Sequence, residues 1–223
     1  MFLDLFRRRH RPLLSGLSSG SGCEGAMALV YEYDVFISYR RGGGDAPDWV
    51  RNHFHPRLQR LLDDNVDYDV KIFLEDDVPV GGKWLQVVRD TLQRARILIP
   101  ICSPKYFRDE RCLAEWHTMA KREEIVARDG AAKMVRLIYP VIFSDSENFP
   151  GYAHERQMHS FRNWNKPHPQ YQNTPEYLDF DREMERLVED LVGIIAQAPL
   201  WCSEWPVETP APEPPRPSKL PRF

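Results

Sequence analysis

The sequence predicts a three-layer α/β/α domain around a central, mainly parallel five-stranded sheet. Short apolar segments with strand character alternate with longer segments of helical spacing, in the order βαβαβαβ, before a loop-rich region. The apolar run 97–102 has no polar alternation, which is typical of a strand buried on both faces. Strands joined by helices pair in parallel through right-handed crossovers, so we expect helices on both faces of the sheet.

Periodicity and breakers give the bounds of each element. The predicted strands are 33–39, 70–74, 97–102, a segment within 134–143, and a short edge strand at 158–164. The predicted helices are 48–64, 84–94, a helix capped by Asp109 that runs to about Arg128, and 175–197. Pro140 lies inside the fourth strand and predicts that pairing weakens near its end.

Composition narrows the class of protein. With 42% hydrophobic residues, the 223-residue chain can bury one substantial core, and 30 basic against 33 acidic residues favour neither nucleic acid nor an anionic membrane. No apolar run approaches the roughly 18 residues of a membrane-spanning helix. Four widely spaced cysteines without a C-x-x-C pair indicate a reducing compartment. We therefore expect a cytoplasmic protein without nucleic-acid or membrane partners.

Three segments are expected along the chain: an N-terminal extension at 1–26, a domain at 27–200 and a proline-rich tail at 201–223. The extension passes from an apolar, arginine-rich start into a Ser/Gly-rich stretch typical of flexible chain, and an amphipathic membrane anchor is the alternative. Seven prolines from Pro206 onward predict a disordered tail, and a ligand for a proline-binding module is the alternative.

Polar residues follow the predicted strands at the edge where such sheets bind ligands, outside the carboxyl ends of the strands. They are Ser38, Tyr39, Arg40 and Arg41 after the first strand, Glu75, Asp76 and Asp77 after the second, and the segment from Ser103 to Tyr106 after the third. The two arginines precede three glycines and a helix, a combination able to hold a phosphate, although neither nucleotide-binding fingerprint is present. Ser38 and Ser103 have structural explanations of equal weight, as a packed residue and a strand terminator.

The helix after the third strand places a carboxylate at the same edge. Glu115 falls in its second turn, and at helical spacing it shares one face with Cys112 and Met119. A charge therefore lies on a partly apolar stripe. From the residues alone, the simpler explanation of Glu115 is an acid that is favourable early in a helix.

Three motifs resemble a known family. They are DVFISYRR at 34–41, FLEDDVPVGGKW at 73–84 and SPKYFRDERCLAEW at 103–116. In order and spacing they are similar to a bacterial Toll/interleukin-1 receptor (TIR) domain. The resemblance implies a flavodoxin-like sheet and, in the enzymatic branch, cleavage of NAD to nicotinamide and ADP-ribose or a cyclic form. It also implies a role in anti-phage defence, control by TIR–TIR assembly, and a separately encoded sensor or effector partner.

The resemblance assigns Glu115 as the catalytic glutamate of a W-C-x-x-E motif. Arg111 stands where the family has tryptophan, so Tyr106, Trp116 or Trp84 could supply a ring instead, and the guanidinium could contact a phosphate or a neighbouring subunit. The residues expected to contact NAD are Ser38, Tyr39, Arg40, Arg41, Asp77, Trp84, Ser103, Tyr106, Arg111 and Cys112.

The implied chemistry takes NAD as a substrate and needs no cofactor. A neutral pyridine leaves while the ribosyl carbon gains oxocarbenium character that a carboxylate stabilises. Asp76 and Asp77 suit a turn and have no further ligand at fixed spacing, so we expect no metal. We expect the aromatics Trp49, Phe54 and Trp116 in the core or an interface, and solvated histidines at 53, 55, 154, 159 and 168. A non-catalytic TIR scaffold and a receptor that binds NAD without turnover are the alternative functions.

Overall fold

The computed structural model describes residues 31–74, 84–128 and 135–208, with only the backbone described at residues 84 and 85. The predicted N-terminal extension and most of the predicted tail lie outside these ranges. Five parallel strands form one sheet: β1 (Tyr33–Ser38), β2 (Ile72–Leu74), β3 (Ala95–Cys102), β4 (Val141–Ile142) and β5 (His159–Ser160). Their spatial order is β2-β1-β3-β4-β5. The predicted α/β fold with a parallel five-stranded sheet is therefore confirmed.

The helices follow the predicted order. They are α1 (Ala46–Trp49), α2 (His55–Asn65), α3 (Trp84–Gln93), α4 (Glu110–Arg128), α5 (Gly151–His154) and α6 (Tyr177–Ala196). A π-helical turn, Val50–Phe54, joins α1 to α2, and 3₁₀ turns lie at Tyr106–Arg108 and Pro169–Asn173. The four predicted helices are confirmed to within a few residues at each end. In the described part of the chain, no helix has both the length and the apolar character needed to cross a bilayer.

The strands β1 and β3 form the centre of the sheet. Their inner residues, among them Phe36 and Leu98, are fully buried because helices cover both faces. The register pairs Phe36 with Leu98 and Ser38 with Pro100, so both strands end at the same edge. The strand order reverses between β1 and β3, and this switch point is where open α/β sheets bind their ligands.

The fourth strand differs from its prediction. Leu137 and Tyr139, on either side of Ile138, form backbone hydrogen bonds with Leu98. The pairing with β3 is interrupted at Pro140 and resumes where Val141 pairs with Ile101. Proline has no N–H to donate, so the interruption falls at Pro140 itself. The predicted weakening near the end of the strand is wrong, because β4 continues beyond the proline.

Two histidines expected in solvent make internal hydrogen bonds instead. His53 lies in the π-helical turn, is fully buried, and donates from Nε2 to the carbonyl of His168 at 3.0 Å. His159 of β5 is hydrogen bonded to Tyr139 Oη at 2.9 Å and to Glu183 Oε1 at 2.6 Å. Long-range contacts, which local periodicity does not show, hold both rings. The predicted core positions of Trp49, Phe54 and Trp116 are confirmed.

Residues 199–208 run back over α3 and α4, and we call this segment the strap. Trp201 donates from Nε1 to the carbonyl of Gln93 at 3.0 Å, and the buried Trp205 ring covers the guanidinium of Arg122. The prediction of a disordered tail is wrong for the part of the strap that begins at Trp201. The strap is anchored where its Trp205 ring packs on Arg122 of α4, a helix that lies far away in the sequence.

The burial of His53 predicts how stability depends on pH. Burial lowers the pKa of His53, so the unfolded chain takes up a proton first as the pH falls. The contribution of neutral His53 to the free energy of unfolding is fully present above the ordinary histidine pKa of about 6.5 and decreases below it. In urea denaturation between about pH 7.5 and 5.5, we expect the free energy of unfolding to fall less steeply in His53→Gln than in the parent, by up to about 1.4 kcal/mol per pH unit.

The exposed His154 provides the control for this experiment. His154→Gln should keep the parental pH dependence of the free energy of unfolding. Equal slopes for the parent and His53→Gln would contradict the role given to His53.

Candidate active site

A cleft of about 260 Å³ opens at the carboxyl ends of the central strands. The loop after β1 forms one wall, and residues that follow β3 and β4 form the other. Residues of both walls include Arg40, Gly43, Asp45, Ser103, Lys105 and Ser144. The cleft therefore lies at the switch point of the strand order, where the sequence predicted a ligand site.

Two glycines shape the loop that forms the first wall. Gly43 has φ of 71° and Gly44 has φ of 96°, in the left-handed region that glycine adopts without strain. A Cβ at either position would meet nothing within 4 Å, so conformation rather than space requires glycine here. The Arg40 guanidinium donates to the carbonyl oxygens of Gly42 and Gly43, the second at 3.2 Å. This contact holds the Arg40 cation at the cleft.

The charge of the cleft differs from that of the whole chain. Arg40 and Lys105 contribute two cations against the single carboxylate of Asp45, whereas the chain carries a net charge of -3. The hydroxyl-bearing residues Ser103 and Ser144 lie on the opposite wall from the glycine loop. Cations and hydroxyls of this kind suit a phosphate or another anion.

A hydrogen-bond chain below the cleft links β1 to α4. Ser38 Oγ and Tyr106 Oη are 2.9 Å apart, and Tyr106 Oη donates to the carbonyl of Cys112 at 3.2 Å. A phenol has one proton, so Ser38 is the donor to Tyr106. Ser38 and Tyr106 are fully buried. Burial raises the pKa of Tyr106 well above its ordinary value, and the charges of Cys112 and Glu115 raise it further, so the phenol stays neutral.

The N-terminus of α4 is capped as predicted. Asp109 Oδ1 accepts from the backbone N–H of Arg111 at 3.1 Å and from that of Cys112 at 3.3 Å. Glu115 follows in the second turn and is only 5% exposed. Cys112 and Met119 are also buried, which confirms the predicted stripe.

Glu115 differs from the other buried carboxylate in the described part of the chain, Asp34. Asp34 lies near the amino end of β1, where it accepts from the Lys71 N–H at 3.1 Å and the Tyr68 hydroxyl at 3.3 Å. Glu115 lies at the ligand-binding edge, beside Tyr106. Burial of a carboxylate is costly unless its surroundings compensate it. Its location therefore makes Glu115 the candidate reactive group.

Some of the residues predicted to contact NAD line the cleft, and others are buried beneath it. Arg40 and Ser103 line the cleft, and Ser103 Oγ also accepts from the Tyr106 N–H at 3.2 Å. Three lie in the buried cluster beneath it, where the hydrogen-bond chain connects them: Ser38, Tyr106 and Cys112. Ser103 therefore connects the cleft to the cluster around Glu115.

Three of the remaining predicted residues, Tyr39, Arg41 and Arg111, do not line the cleft. Tyr39 belongs to the hydrophobic core and is 2% exposed. Arg41 and Arg111 are partly buried, and Arg111 Nε lies 3.9 Å from Asp109 Oδ1. Asp77 and the side chain of Trp84 lie outside the described residues.

Two of the rings considered as replacements for the family tryptophan are part of the core. Tyr106 is fully buried and Trp116 is 1% exposed. The Trp116 ring packs against Phe107 at 5.5 Å and Tyr152 at 5.9 Å between ring centroids. Neither ring presents an exposed face to a ligand in this structure.

Sequence reasoning gave no role to three polar residues of the cleft, Asp45, Lys105 and Ser144. Ser144 follows β4 directly after Phe143, so the rule of strand carboxyl ends would have found it had it been applied to the fourth strand. Lys105 lies between Ser103 and Tyr106, and its charge was the available signal. Within the described ranges, no group of three or more His, Cys, Asp or Glu side chains is arranged to hold a metal ion.

The chain is similar to a known family and to solved structures. A family model described as TIR domain matches residues 35–175. The TIR domain of the Toll-related receptor TRR-2 from Hydra magnipapillata aligns with 70% of this chain and 98% of that chain, at 17% identity and a TM-score of 0.47. The TIR domains of the activated Roq1 resistosome that recognises the pathogen effector XopQ align with 74% of this chain and 96% of that chain, at 17% identity and a TM-score of 0.35. No curated protein matches the chain.

The buried hydrogen-bond chain predicts a stability effect. Tyr106→Phe removes the hydroxyl that bonds Ser38 and Cys112, and it leaves buried polar groups without their partner. We expect the free energy of unfolding, measured by urea denaturation, to fall by about 1–3 kcal/mol. Tyr152→Phe, at a half-buried tyrosine of the same aromatic cluster, should change it by less than about 0.5 kcal/mol. Equal free energies of unfolding for Tyr106→Phe and the parent would show that these hydrogen bonds do not contribute to stability.

Proposed function

The chain belongs to the TIR domain family, and from this premise we propose that it is an NAD glycohydrolase or cyclase that cleaves the nicotinamide–ribose bond. The products are nicotinamide and ADP-ribose or a cyclic ADP-ribose. TIR domains include enzymes and non-catalytic scaffolds, so family membership alone does not decide the function. The observation that carries the proposal is Glu115, a carboxylate that is 5% exposed and linked to a cationic cleft through Tyr106 and Ser103.

In the proposed reaction, the bond between nicotinamide and ribose C1′ breaks and its electron pair leaves with nicotinamide. The leaving group is a neutral pyridine, so no general acid is needed. The ribose gains oxocarbenium character, and the Glu115 carboxylate stabilises that positive charge. Water then adds to C1′ and loses a proton to give ADP-ribose. Attack by an adenine nitrogen of the same molecule gives the cyclic product instead.

The surroundings of Glu115 support this role. A buried carboxylate interacts more strongly with a developing cation than an exposed one does, because less water screens the charges. Tyr106 beside it remains a neutral phenol, so it adds no competing negative charge. The Asp109 cap and the Tyr106 bond to the Cys112 carbonyl hold the first turn of α4 in place. A fixed carboxylate needs little reorganisation when the charge develops.

The charge of the cleft supports NAD as the substrate. We assign the pyrophosphate to Arg40 and Lys105, with the hydroxyls of Ser103 and Ser144 as further hydrogen-bond donors. The pyrophosphate carries two negative charges, and the two cations would compensate them. Arg41, the other arginine proposed from the sequence, does not line the cleft.

We also propose that contact between copies of the chain controls the activity. Glu115 is nearly inaccessible in the single chain, so NAD reaches it only after its surroundings rearrange. TIR–TIR contacts would supply the free energy for that rearrangement, since binding shifts a conformational equilibrium by its differential affinity. In this proposal the enzyme acts in the cytoplasm in bacterial anti-phage defence, with a separately encoded sensor or effector as its partner.

A non-catalytic scaffold is the second candidate function. Arg111 replaces the tryptophan of the enzymatic motif, and the rings of Tyr106 and Trp116 are committed to the core. A TIR domain that lacked the stacking ring would bind other TIR domains without turning over NAD. The two functions differ in one observable, the release of nicotinamide.

Substitution of Glu115 tests catalysis directly. We expect the parent to release nicotinamide from NAD at high protein concentration, and Glu115→Ala to lose at least about 100-fold in rate, because the charge that stabilises the oxocarbenium ion is gone. Glu110→Ala, at an exposed glutamate of the same helix, should retain the parental rate. Nicotinamide can be measured by chromatography. If neither the parent nor Glu115→Ala releases nicotinamide under conditions that promote assembly, the result would favour the scaffold.

Substitution of Lys105 tests the phosphate assignment. We expect Lys105→Gln to raise the KM for NAD about tenfold, since one of the two cleft cations is lost. For nicotinamide riboside, which has no phosphate, kcat/KM should stay within about twofold of the parental value. Arg128→Gln, at the exposed far end of α4, provides the control. An equal loss of kcat/KM with both substrates would remove Lys105 from the phosphate site.

A further inference from the structure

We propose that the strap is a positioning element for the turn of α4 that carries Glu115, acting through Thr118 and Trp205. The catalytic part of this inference rests on the function proposed above. Its structural part is independent of that function, because it concerns only how firmly α4 is held. The strap contacts α4 through Thr118, through the Trp205 ring, and through an ion pair between Glu208 and Lys121. The first two of these contacts carry the inference, and each has its own physical basis.

The first contact is a hydrogen-bond relay. The backbone N–H of Glu208 donates to Thr118 Oγ1 at 2.8 Å, and Thr118 Oγ1 donates to the carbonyl of Ala114 at 2.7 Å. Thr118 is fully buried, so water does not replace either partner readily. A threonine bond to the carbonyl four residues earlier adjusts the local bend of a helix. The residue whose carbonyl receives this bond, Ala114, directly precedes Glu115.

The second contact covers a buried cation. Arg122 is fully buried and donates to the carbonyls of Leu92 at 3.0 Å and Ala95 at 3.4 Å. Among the described residues, Arg122 Nε has no hydrogen-bond partner and no carboxylate forms an ion pair with its guanidinium. Burial lowers its pKa to about 10. The Trp205 ring lies 5.0 Å from the guanidinium and supplies a cation–π contact that also excludes water.

The two ends of the Glu115 turn are held from different sides. Tyr106, bonded in turn to Ser38, donates to the carbonyl of Cys112, and the strap reaches the carbonyl of Ala114 through Thr118. These carbonyls lie three residues and one residue before Glu115. Release of the strap would leave the turn held by the Asp109 cap and the bond from Tyr106. The geometry therefore makes Thr118 and Trp205 positioning residues rather than catalytic ones.

The other end of the strap provides a matched control. Trp201 and Ser203 bond the backbone and side chain of Gln93, the last residue of α3, with no bond to α4. Gln93→Ala removes the hydrogen bond from Gln93 Nε2 to the Ser203 carbonyl and keeps the relay to Ala114. It therefore perturbs the strap away from the Glu115 turn.

Hydrogen exchange followed by mass spectrometry tests the structural part. We expect backbone amides in 110–119 to exchange at least about fivefold faster in Thr118→Val and Trp205→Ala than in the parent, because the turn opens more often. Thr118→Ser keeps the hydroxyl and should exchange at the parental rate, as should Gln93→Ala. Unchanged exchange in Thr118→Val, or equal acceleration in Gln93→Ala, would overturn the proposal.

Nicotinamide release tests the catalytic part with the same proteins. We expect Thr118→Val to lower kcat about tenfold with KM within about twofold, because Glu115 is misplaced while the cleft is intact. Thr118→Ser keeps the hydroxyl and should have the parental kcat. Faster exchange with unchanged kcat would overturn the positioning role. If the parent releases no nicotinamide, the proposed function fails, and the exchange experiment alone decides whether the strap holds α4.

Discussion

The parallel pairing of β1 with β3 is the constraint on which the site depends. Both strands are buried on both faces, so helices must cover them, and the chain must leave each strand at its carboxyl end. The register places Ser38 beside Pro100, which brings the residues after the two strands to one edge. Arg40 and Ser103 therefore share a cleft although they lie far apart in the sequence. The hydrogen bond between Ser38 and Tyr106 then ties this edge to the start of α4.

The proposed site separates two opposite electrostatic tasks. Arg40 and Lys105 give the cleft a positive charge suited to phosphates, whereas Glu115 offers a buried negative charge to the developing ribosyl cation. Direct contact between these groups would produce an ion pair that cancels both charges. Tyr106 lies next to Glu115 and bonds Ser103 through its backbone N–H, and its phenol is neutral. One site can therefore bind an anionic substrate and stabilise a cationic transition state.

Local sequence patterns were sufficient for the parts of the fold in which neighbouring residues decide the structure. The unbroken apolar run of β3, the Asp109 cap and the helical stripe around Glu115 each follow from short-range chemistry, and the structure confirms them. The cleft residues Arg40 and Ser103 were found through a rule about strand ends, which also applies to Ser144. The proposed reactive role of Glu115 needed the family motif, since an acid that is favourable early in a helix is the simpler explanation from spacing alone.

The features that sequence reasoning missed depend on contacts between distant segments. His53 appears polar in its local sequence, yet a carbonyl more than one hundred residues later binds it. Trp205 lies in a proline-rich segment that predicts disorder, and the contacts of its ring with the buried Arg122 on α4 and with Tyr31 explain why it is ordered. Pro140 was correctly seen as a disturbance, but the recovery of pairing at β4 depends on the neighbouring strand. In each case, the partner in the folded chain decides the outcome.

A crystal structure of the self-associated chain with carba-NAD shows whether the substrate reaches Glu115. In this analogue a methylene group replaces the oxygen of the nicotinamide ribose ring, so the bond to nicotinamide is not cleaved. We expect the pyrophosphate to lie against Arg40 and Lys105 and the nicotinamide ribose to lie within hydrogen-bond reach of Glu115. Carba-NAD bound elsewhere, or bound in the cleft with its nicotinamide ribose remote from Glu115, would contradict the account.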